Sequence, residues 1–421
     1  MTALFITISF VLFAALMLTR KLPAILAVPL MALTIAVAAR IPLDVILNQV
    51  IAAGATRLSE AYIMVFAGAI LGRVVMSSGI AEGIIKRAAE FGGDRPLLAG
   101  VLLMSVVAVL FLALFGLGAI MMVGGLVLPI MMSLGIPRKL AGVLFMLAYG
   151  LGFIFNIGTW GFYQKALNLD PQAIKGFAAG LALIDAIAIV IFLVIASRRM
   201  QRYGAWAIRA DDEPERQPVH HIPLVALLVP VFPLVLHLGF KWHVVPSFLA
   251  SAIAGILITR PRETIRQLTS AMIRGLEDAA PAMVLMIGIG MLLNATTLPQ
   301  VQGSLKPVIA SVQFASPAVY VAFFGLLSPL TLYRGPLNPY GIGIGLYSLL
   351  GALGLLPPLA LLAAVMSVVQ VQNVCDPTNT QNVWVANFVG IRVEEITRET
   401  LVYQAMVCLA GLVLGSLLYL R

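Results

Sequence analysis

The chain has 421 residues, of which 61% are hydrophobic and 11% are charged. Soluble domains carry about 25% charged residues, and a membrane β-barrel shows short alternating segments in place of long apolar runs. The sequence therefore predicts an all-α polytopic membrane protein whose partner is the lipid bilayer. Its net charge is +9, but the basic residues gather in loops between apolar runs. They do not form the aromatic-plus-basic patches of nucleic-acid-binding proteins, so we expect no nucleic-acid partner.

Apolar runs recur along the whole chain. A run of about 17 residues or more can cross the hydrocarbon layer as a helix. The first run is followed, not preceded, by basic residues, so we expect a retained span and not a cleaved signal peptide. Cys375 and Cys408 fall within predicted spans, which argues against a disulfide framework. The predicted spans are residues 3–19, 23–39, 60–80, 139–163, 177–197, 222–239, 244–259, 280–298, 357–385 and 400–420.

Two further apolar regions, 97–136 and 314–352, have turn-forming centres. The first contains the Gly-rich stretch 115–118 and the second the Pro-rich stretch 333–341. Lipid cannot satisfy a freed backbone group, so such turns at membrane depth need protein or water around them. We expect each region to form a re-entrant hairpin; a pair of full spans is the alternative. The prediction is about 11 transmembrane segments.

An arginine-rich hydrophilic linker, residues 198–221, divides the chain into the halves 1–197 and 222–421. When the second half is moved back by about 220 residues, Lys241 falls on Lys21, which is typical of an internal repeat. Basic residues favour the linker side of the membrane, so we expect the linker inside and both termini outside a bacterial inner membrane. Equivalent spans then run in opposite directions, which predicts two inverted repeats.

Each half also contains a helix interrupted by polar and small residues. Residues 152–161 read Gly-Phe-Ile-Phe-Asn-Ile-Gly-Thr-Trp-Gly, and residues 373–382 read Asn-Val-Cys-Asp-Pro-Thr-Asn-Thr-Gln-Asn. Paired breaks at corresponding positions of a repeated membrane protein are the best sequence indicator of a transporter binding site. The sequence therefore predicts that the site lies where these breaks meet.

Arg334 lies at the centre of the second predicted hairpin. A charged side chain at mid-membrane costs about 2.5–3.5 kcal/mol on insertion scales, so it usually faces a cavity or a partner. The guanidinium is a planar fork that matches a carboxylate. We expect Arg334 to bind an anionic substrate; a structural ion pair with Asp376 is the alternative.

Asp376 lies in the second broken helix and precedes a proline. With Thr378, Asn379 and Thr380 it supplies oxygen atoms suited to a hard cation, so Na⁺ is a candidate at Asp376, Thr378 and Asn379. The same carboxylate, partly removed from water, is also suited to carrying a proton. The sequence does not decide between Na⁺ and H⁺ as the coupling ion. The alternative interpretation of Asp376 is structural, as part of a buried polar cluster that joins helices.

The remaining candidates belong to the first break and to the hairpin tips. Asn156 and Thr159 stand where a half-helix would present free N–H groups to an anion. Asn338 is a candidate polar contact in the second hairpin. Gly116 and Gly118 would allow the backbone of the first hairpin to approach a ligand closely.

Three other intramembrane charges have structural interpretations. Asp185 is expected to pair with Arg73, with a proton path as the alternative. Glu60 and Asp278 stand at the predicted starts of spans, where carboxylates usually cap helices.

Signals for an enzyme are missing. The four histidines show no HExxH spacing, and neither a GxSxG motif nor a Walker-type loop is found. We expect no catalytic activity, no cofactor and no bound metal other than a coupling Na⁺. Without a nucleotide site, an ion gradient or a concentration gradient has to drive transport.

The stretch Phe115-Gly-Leu-Gly-Ala-Ile-Met-Met-Val-Gly-Gly-Leu-Val-Leu-Pro-Ile-Met-Met-Ser-Leu-Gly-Ile-Pro137, with the two breaks and the basic linker, resembles the ion transporter superfamily of secondary carriers. Its citrate/proton and gluconate-type members are the most similar. The resemblance implies a homodimer with a scaffold domain and a mobile domain that moves like an elevator. The Ser-Asn-Thr motifs of sodium-coupled dicarboxylate members are missing from both hairpin tips. The resemblance places substrate and ion at Gly116, Gly118, Asn156, Thr159, Arg334, Asn338, Asp376, Thr378, Asn379 and Thr380.

These observations predict a secondary active transporter that moves a small organic anion, a carboxylate, coupled to H⁺ or Na⁺ by alternating access. One alternative is a cation/proton antiporter, in which Asp376 and Asp185 carry the ions and Arg334 is structural. A further alternative is the membrane subunit of a multi-protein uptake system.

Overall fold

The computed structural model describes residues 2–19, 21–93, 96–169, 173–200 and 222–420. All regular secondary structure in these ranges is helical. Most of the predicted linker, residues 201–221, lies outside the described residues.

The helices of the first half follow one another with short connections. α3 contains a π-helical segment, Ile46–Ala53. The elements are α1 (Thr2–Leu18), α2 (Ala24–Ala38), α3 (Leu43–Ser77), α4 (Ile80–Gly92), α5 (Pro96–Phe111), α6 (Leu117–Ser133), α7 (Arg138–Phe153), α8 (Ile157–Leu167) and α9 (Ala173–Met200).

The second half has a similar succession of helices. A 3-10 stretch, Ser328–Arg334, and an irregular segment separate the two helices of its hairpin. The elements are α10 (Leu224–Gly239), α11 (Val244–Thr259), α12 (Thr264–Thr297), α13 (Pro299–Ile309), α14 (Pro317–Leu326), α15 (Gly343–Ala352), α16 (Pro358–Cys375), α17 (Thr380–Val389) and α18 (Val393–Tyr419).

Among the described residues, 5 helices are long and apolar enough to cross a membrane, or up to 6 if α7 and α8, bent by 55°, form one span. They fit an α-helical membrane protein. The other apolar helices have 10–17 residues, so the prediction of about 11 segments stays a prediction. The spans are Leu43–Ser77, Ala173–Ala196, Pro261–Thr297, Pro358–Val389 and Val393–Tyr419.

Two predicted spans are parts of longer helices. The spans predicted at 60–80 and 280–298 belong to longer helical runs that begin at Leu43 and at Pro261. In α12, which has 34 residues, the charged residues Arg266, Arg274 and Glu277 are exposed, so the helix continues through them with an apolar face inward. Low hydropathy in this stretch hid the continuity of the helix.

The helices form two packed groups. The first group consists of α2, α3, α11 and α12. In it, α12 packs against both α2 and α3, and α11 packs against α3. Glycines allow these backbones to meet: a Cβ on Gly288 would lie 2.7 Å from Pro29 Cδ, and one on Gly54 would lie 2.7 Å from Met291 Cα.

The second group consists of α5, α6, α7, α9, α16, α17 and α18. In it, α5 packs against α7, α16 against α18, α9 against α18, and α17 against α6 and α7. The outer face of α9 is apolar and exposed at Leu183, Ile187 and Val190, as a lipid-facing surface would be.

Candidate functional site

A cavity of about 640 Å³ lies between the first group and the second group. The first group contributes the start of α2 and one face of α12, including Asp278 and Met286. Both hairpin tips and both helix breaks form the rest of the wall, with residues of α6, α7, α8 and α17 among them. Cavities that bind small molecules have volumes of about 300–1,000 Å³, so this one is of suitable size.

The structure brings the predicted site residues together at this cavity, in two layers. Six of them line the cavity: Gly116, Thr159, Arg334, Thr378, Asn379 and Thr380. The others do not line it: Asn156, Asn338 and Asp376 are fully buried behind the wall, and Gly118 lies against Asp278.

Asn156 fixes the first hairpin to the first break. It is the N-cap of α8, where its Oδ1 accepts the N–H of Thr159 at 3.2 Å. Its Nδ2 donates to the carbonyl oxygens of Phe111 and Leu114, both at 3.0 Å. Because all these bonds are internal and the side chain is fully buried, Asn156 holds the wall in place and Thr159 faces the cavity.

Asp376 lies at the second break, where it is the C-cap of α16. Its Oδ1 accepts the N–H of Thr378 at 2.8 Å, the hydroxyl of Thr378 at 2.7 Å and the N–H of Tyr333 at 3.0 Å. Its Oδ2 accepts the N–H of Arg334 at 3.3 Å. The carboxylate is fully buried and joins the second hairpin tip to the start of α17.

This hairpin tip has an unusual backbone. Tyr333 and Arg334 both have φ of +55°, in the left-handed region. Such a conformation costs about 1–3 kcal/mol per non-glycine residue and persists only where the surroundings fix it. Here it turns two successive N–H groups toward the Asp376 carboxylate.

The side chain of Arg334 remains available. Among the described residues, the guanidinium has no hydrogen bond or ion pair, and the residue lines the cavity. The sequence also suggested an ion pair between Arg334 and Asp376. Instead, the Asp376 carboxylate accepts a hydrogen bond from the backbone N–H of Arg334. The site therefore presents an unpaired cation to the cavity.

Asn338 stabilises the second hairpin tip from the side away from the cavity. It is fully buried, donates from Nδ2 to the carbonyl of Thr331 at 3.3 Å and accepts the N–H of Tyr340 at 2.9 Å. Tyr340 lines the cavity, and its hydroxyl lies 3.1 Å from that of Tyr163. Asn338 thus positions Tyr340.

Gly118 lies against a carboxylate that the sequence interpretation had assigned to a helix cap. A Cβ on Gly118 would lie 2.5 Å from Asp278 Oδ1. Asp278 is in the interior of α12, lines the cavity and receives two bonds of 2.6 Å from Arg73 Nε and Nη2. The prediction that Arg73 pairs with Asp185 was wrong, and so was the cap at Asp278, because α12 begins well before it.

Asp185 and Glu60 have other partners. Asp185 is fully buried, accepts the Gln404 amide at 3.0 Å, and has no partner at Oδ2. Glu60 makes no side-chain cap bond; it contacts Lys165 in an ion pair and lies 2.7 Å from His243 Nε2. It therefore ties α3 to α8 and to the start of α11.

Two amides on the wall, those of Gln372 and Asn373, were missed from the sequence. Gln372 and Asn379 exchange bonds across the second break, at 2.9 Å and 2.7 Å. The Oε1 of Gln372 and the Nδ2 of Asn373 are buried without a partner, and both residues line the cavity. The polar run that ends apolar α16 was the available signal.

Aromatic rings of the wall were also missed. Phe115 of the first tip stacks on Phe153 with ring centroids 5.9 Å apart, and Tyr149 lies 5.2 Å from Phe153. On another part of the wall, Phe162 and Tyr340 lie 5.4 Å apart. The spacing of Tyr149 and Phe153, one helical turn before the break, could have indicated them.

No protein-family model matches the chain, and no curated protein sequence matches it. The described residues contain no group of three or more His, Cys, Asp or Glu side chains that could hold a metal ion.

Proposed function

We propose that the protein is a secondary active transporter that moves a small organic anion, a carboxylate, across the membrane, coupled to an H⁺ or Na⁺ gradient. The observation that carries the proposal is the unpaired Arg334 guanidinium at a cavity bounded by both hairpin tips and both helix breaks. A carboxylate entering the cavity would give this cation its missing partner.

The helix termini favour the same ligand. The first turn of α8, at Gly158 and Thr159, and that of α17, at Thr380 and Gln381, line the cavity. The first N–H groups of a helix carry partial positive charge and attract anions. These termini and Arg334 together favour an anion over a cation.

The order of elements supports two inverted repeats. In each half, two short apolar helices precede a long helical run, a shorter helix, a hairpin, a broken helix and a final long helix. With the linker 198–221 inside a bacterial inner membrane, both termini lie outside and about 11 segments cross or enter the membrane. The halves are 1–197 and 222–421.

Alternating access would follow from movement between the two groups. The first group serves as a scaffold, held in a homodimer, and the second group carries the hairpin tips and breaks past it as an elevator. The coupling ion would act at Asp376, Asn379 and Thr380 on the moving side. For Na⁺ to reach Asp376, the carboxylate would have to exchange hydrogen bonds for metal contacts.

A cation/proton antiporter is the second candidate. The buried Asp185 carboxylate, with no partner at Oδ2, favours it. In that case Asp185 and Asp376 would carry the transported ions, and Arg334 would be structural.

The test is ligand-dependent thermal stability of purified protein with a panel of carboxylates, with and without Na⁺, at two pH values. A ligand that binds only the folded state raises apparent stability by mass action. We expect one carboxylate class to stabilise the wild type and the exposed control Arg262→Ala, but not Arg334→Ala. Stabilisation by Na⁺ or pH alone, unchanged in Arg334→Ala, would favour the antiporter. Binding without flux in proteoliposomes would indicate a subunit of a larger uptake system.

A further inference from the structure

The charge of the cavity wall limits the charge of the ligand. Asp278 and Arg334 are the charged residues that line it among the described residues. Asp278 is already neutralised by the two bonds from Arg73. One cation is therefore left for the ligand. A second or third carboxylate would find no second cation in this largely apolar cavity, and burial of a charge without an opposite charge is costly.

Part of the polar surface of the wall is already engaged. Among the fully buried polar atoms of the wall, Oε1 of Gln372 and Nδ2 of Asn373 lack a partner. The side chain of Asn379 is engaged by Gln372, and Thr378 Oγ1 is engaged by Asp376. Each hydroxyl group of a polyhydroxylated acid that found no partner in the cavity would cost about 1–3 kcal/mol.

The remaining surface is apolar and largely aromatic. Phe115, Tyr149 and Phe153 form one ring cluster, and Phe162 and Tyr340 form another. All five line the cavity. Ring faces and edges in these arrangements offer a further aromatic ring offset-stacked or edge-to-face contacts. Aliphatic side chains of α12 complete the wall: Leu285, Met286 and Ile289.

We propose that the ligand is an aromatic monocarboxylate: one carboxylate for Arg334, and a ring body seated among Phe115, Tyr149 and Phe153. This inference rests on the proposed transport function and specifies its substrate class. It departs from the citrate and gluconate that the sequence resemblance suggests. A tricarboxylate brings too much charge for this cavity, and a sugar acid brings too many hydroxyl groups.

The experiment measures binding of five probes to the purified full chain by titration calorimetry: phenylacetate, its neutral amide phenylacetamide, isovalerate, citrate and gluconate. We expect phenylacetate to bind, phenylacetamide to bind at least about tenfold more weakly because it cannot pair with Arg334, and citrate and gluconate not to bind. Phe153→Leu should weaken phenylacetate binding about tenfold and isovalerate binding much less, because the larger part of the loss comes from ring contacts.

A matched aromatic control separates site effects from folding effects. Phe323 pairs with Phe314 at 4.9 Å and does not line the cavity. Phe323→Leu should therefore bind phenylacetate as the wild type does. Arg334-dependent binding of citrate or gluconate, with no binding of phenylacetate, would overturn the substrate class and leave the anion carrier standing. Binding of none of the carboxylates would overturn both.

Discussion

Asp376 binds Arg334 through the backbone, its Oδ2 accepting the Arg334 N–H at 3.3 Å. The guanidinium of the same residue is thereby turned to the cavity. One acidic residue thus fixes the main chain of a basic one without a side-chain ion pair between them. The arrangement separates two tasks: holding the hairpin tip and presenting a cation.

The separation predicts that loss of the Arg334 charge abolishes binding without harming the fold. An unpaired guanidinium in a partly dry site is destabilising, so Arg334→Gln should raise the free energy of unfolding of the ligand-free protein by about 1 kcal/mol. Chemical unfolding in detergent measures this, with the exposed Arg262→Gln as control. A lower unfolding free energy for Arg334→Gln would mean that the guanidinium is structural.

Asp376→Asn should have the opposite effect on stability. The wild-type carboxylate accepts bonds from Tyr333, Arg334 and both donors of Thr378. An amide offers one acceptor oxygen and turns an NH₂ group toward donors, so we expect a loss of about 3 kcal/mol in unfolding free energy and no ligand binding. The exposed Asp44→Asn is the matched control. Unchanged stability would show that the tip keeps its shape without this acceptor.

The contact between Gly118 and Asp278 gives a prediction with a control in the same helix. A Cβ on Gly118 would lie 2.5 Å from Asp278 Oδ1, and Arg73 prevents the carboxylate from moving away. Gly118→Ala should therefore cost about 1–3 kcal/mol of stability. Gly125→Ala meets nothing within 4 Å and should be neutral or slightly stabilising.

The cause of this cost can be checked in a second background. In Asp278→Ala the obstructing carboxylate is gone, so adding Gly118→Ala should cost much less there than in the wild type. Equal costs in the two backgrounds would place the clash elsewhere.

Asp185 should tolerate an amide. Its Oδ2 and the Oε1 of its partner Gln404 are both buried without partners. Asp185→Asn provides an N–H₂ that can donate to Gln404 Oε1, so we expect stability to stay equal or rise by about 1 kcal/mol. Asp185→Leu, which leaves Gln404 alone, should lower it. Unfolding and proteoliposome uptake measure both. Loss of uptake in a stable Asp185→Asn protein would favour the antiporter.

Local features of this fold could be predicted from the sequence. The breaks at Asn156 and Asp376 follow from polar and small residues inside apolar helices, and Gly116 and the Tyr333–Arg334 turn mark the tips. Side-chain direction could not be predicted. Asn156 and Asp376 hold the wall from behind because their bonds go to hairpin backbone far away in the chain. Asn338 does so through bonds within its own hairpin tip.

Pairings between the halves were also beyond the sequence. Arg73 and Asp278 are 205 residues apart, and a single sequence gives no sign of their contact. Asp185 was the nearer carboxylate along the chain, but it lies against Gln404 instead. The cavity aromatics come from three separate segments, so their convergence depends on tertiary packing.

The two breaks hold their hairpins with opposite hydrogen-bond polarity. Asn156 donates to two carbonyl groups of the first hairpin, whereas Asp376 accepts two N–H groups of the second. If the halves descend from one duplicated ancestor, each break has since become matched to its own hairpin. Exchanging the hairpins between the halves would bring carbonyl oxygens against a carboxylate. Recombination that exchanged the hairpins would therefore lose these hydrogen bonds. A substitution at either break has to be compensated by a substitution within the same half.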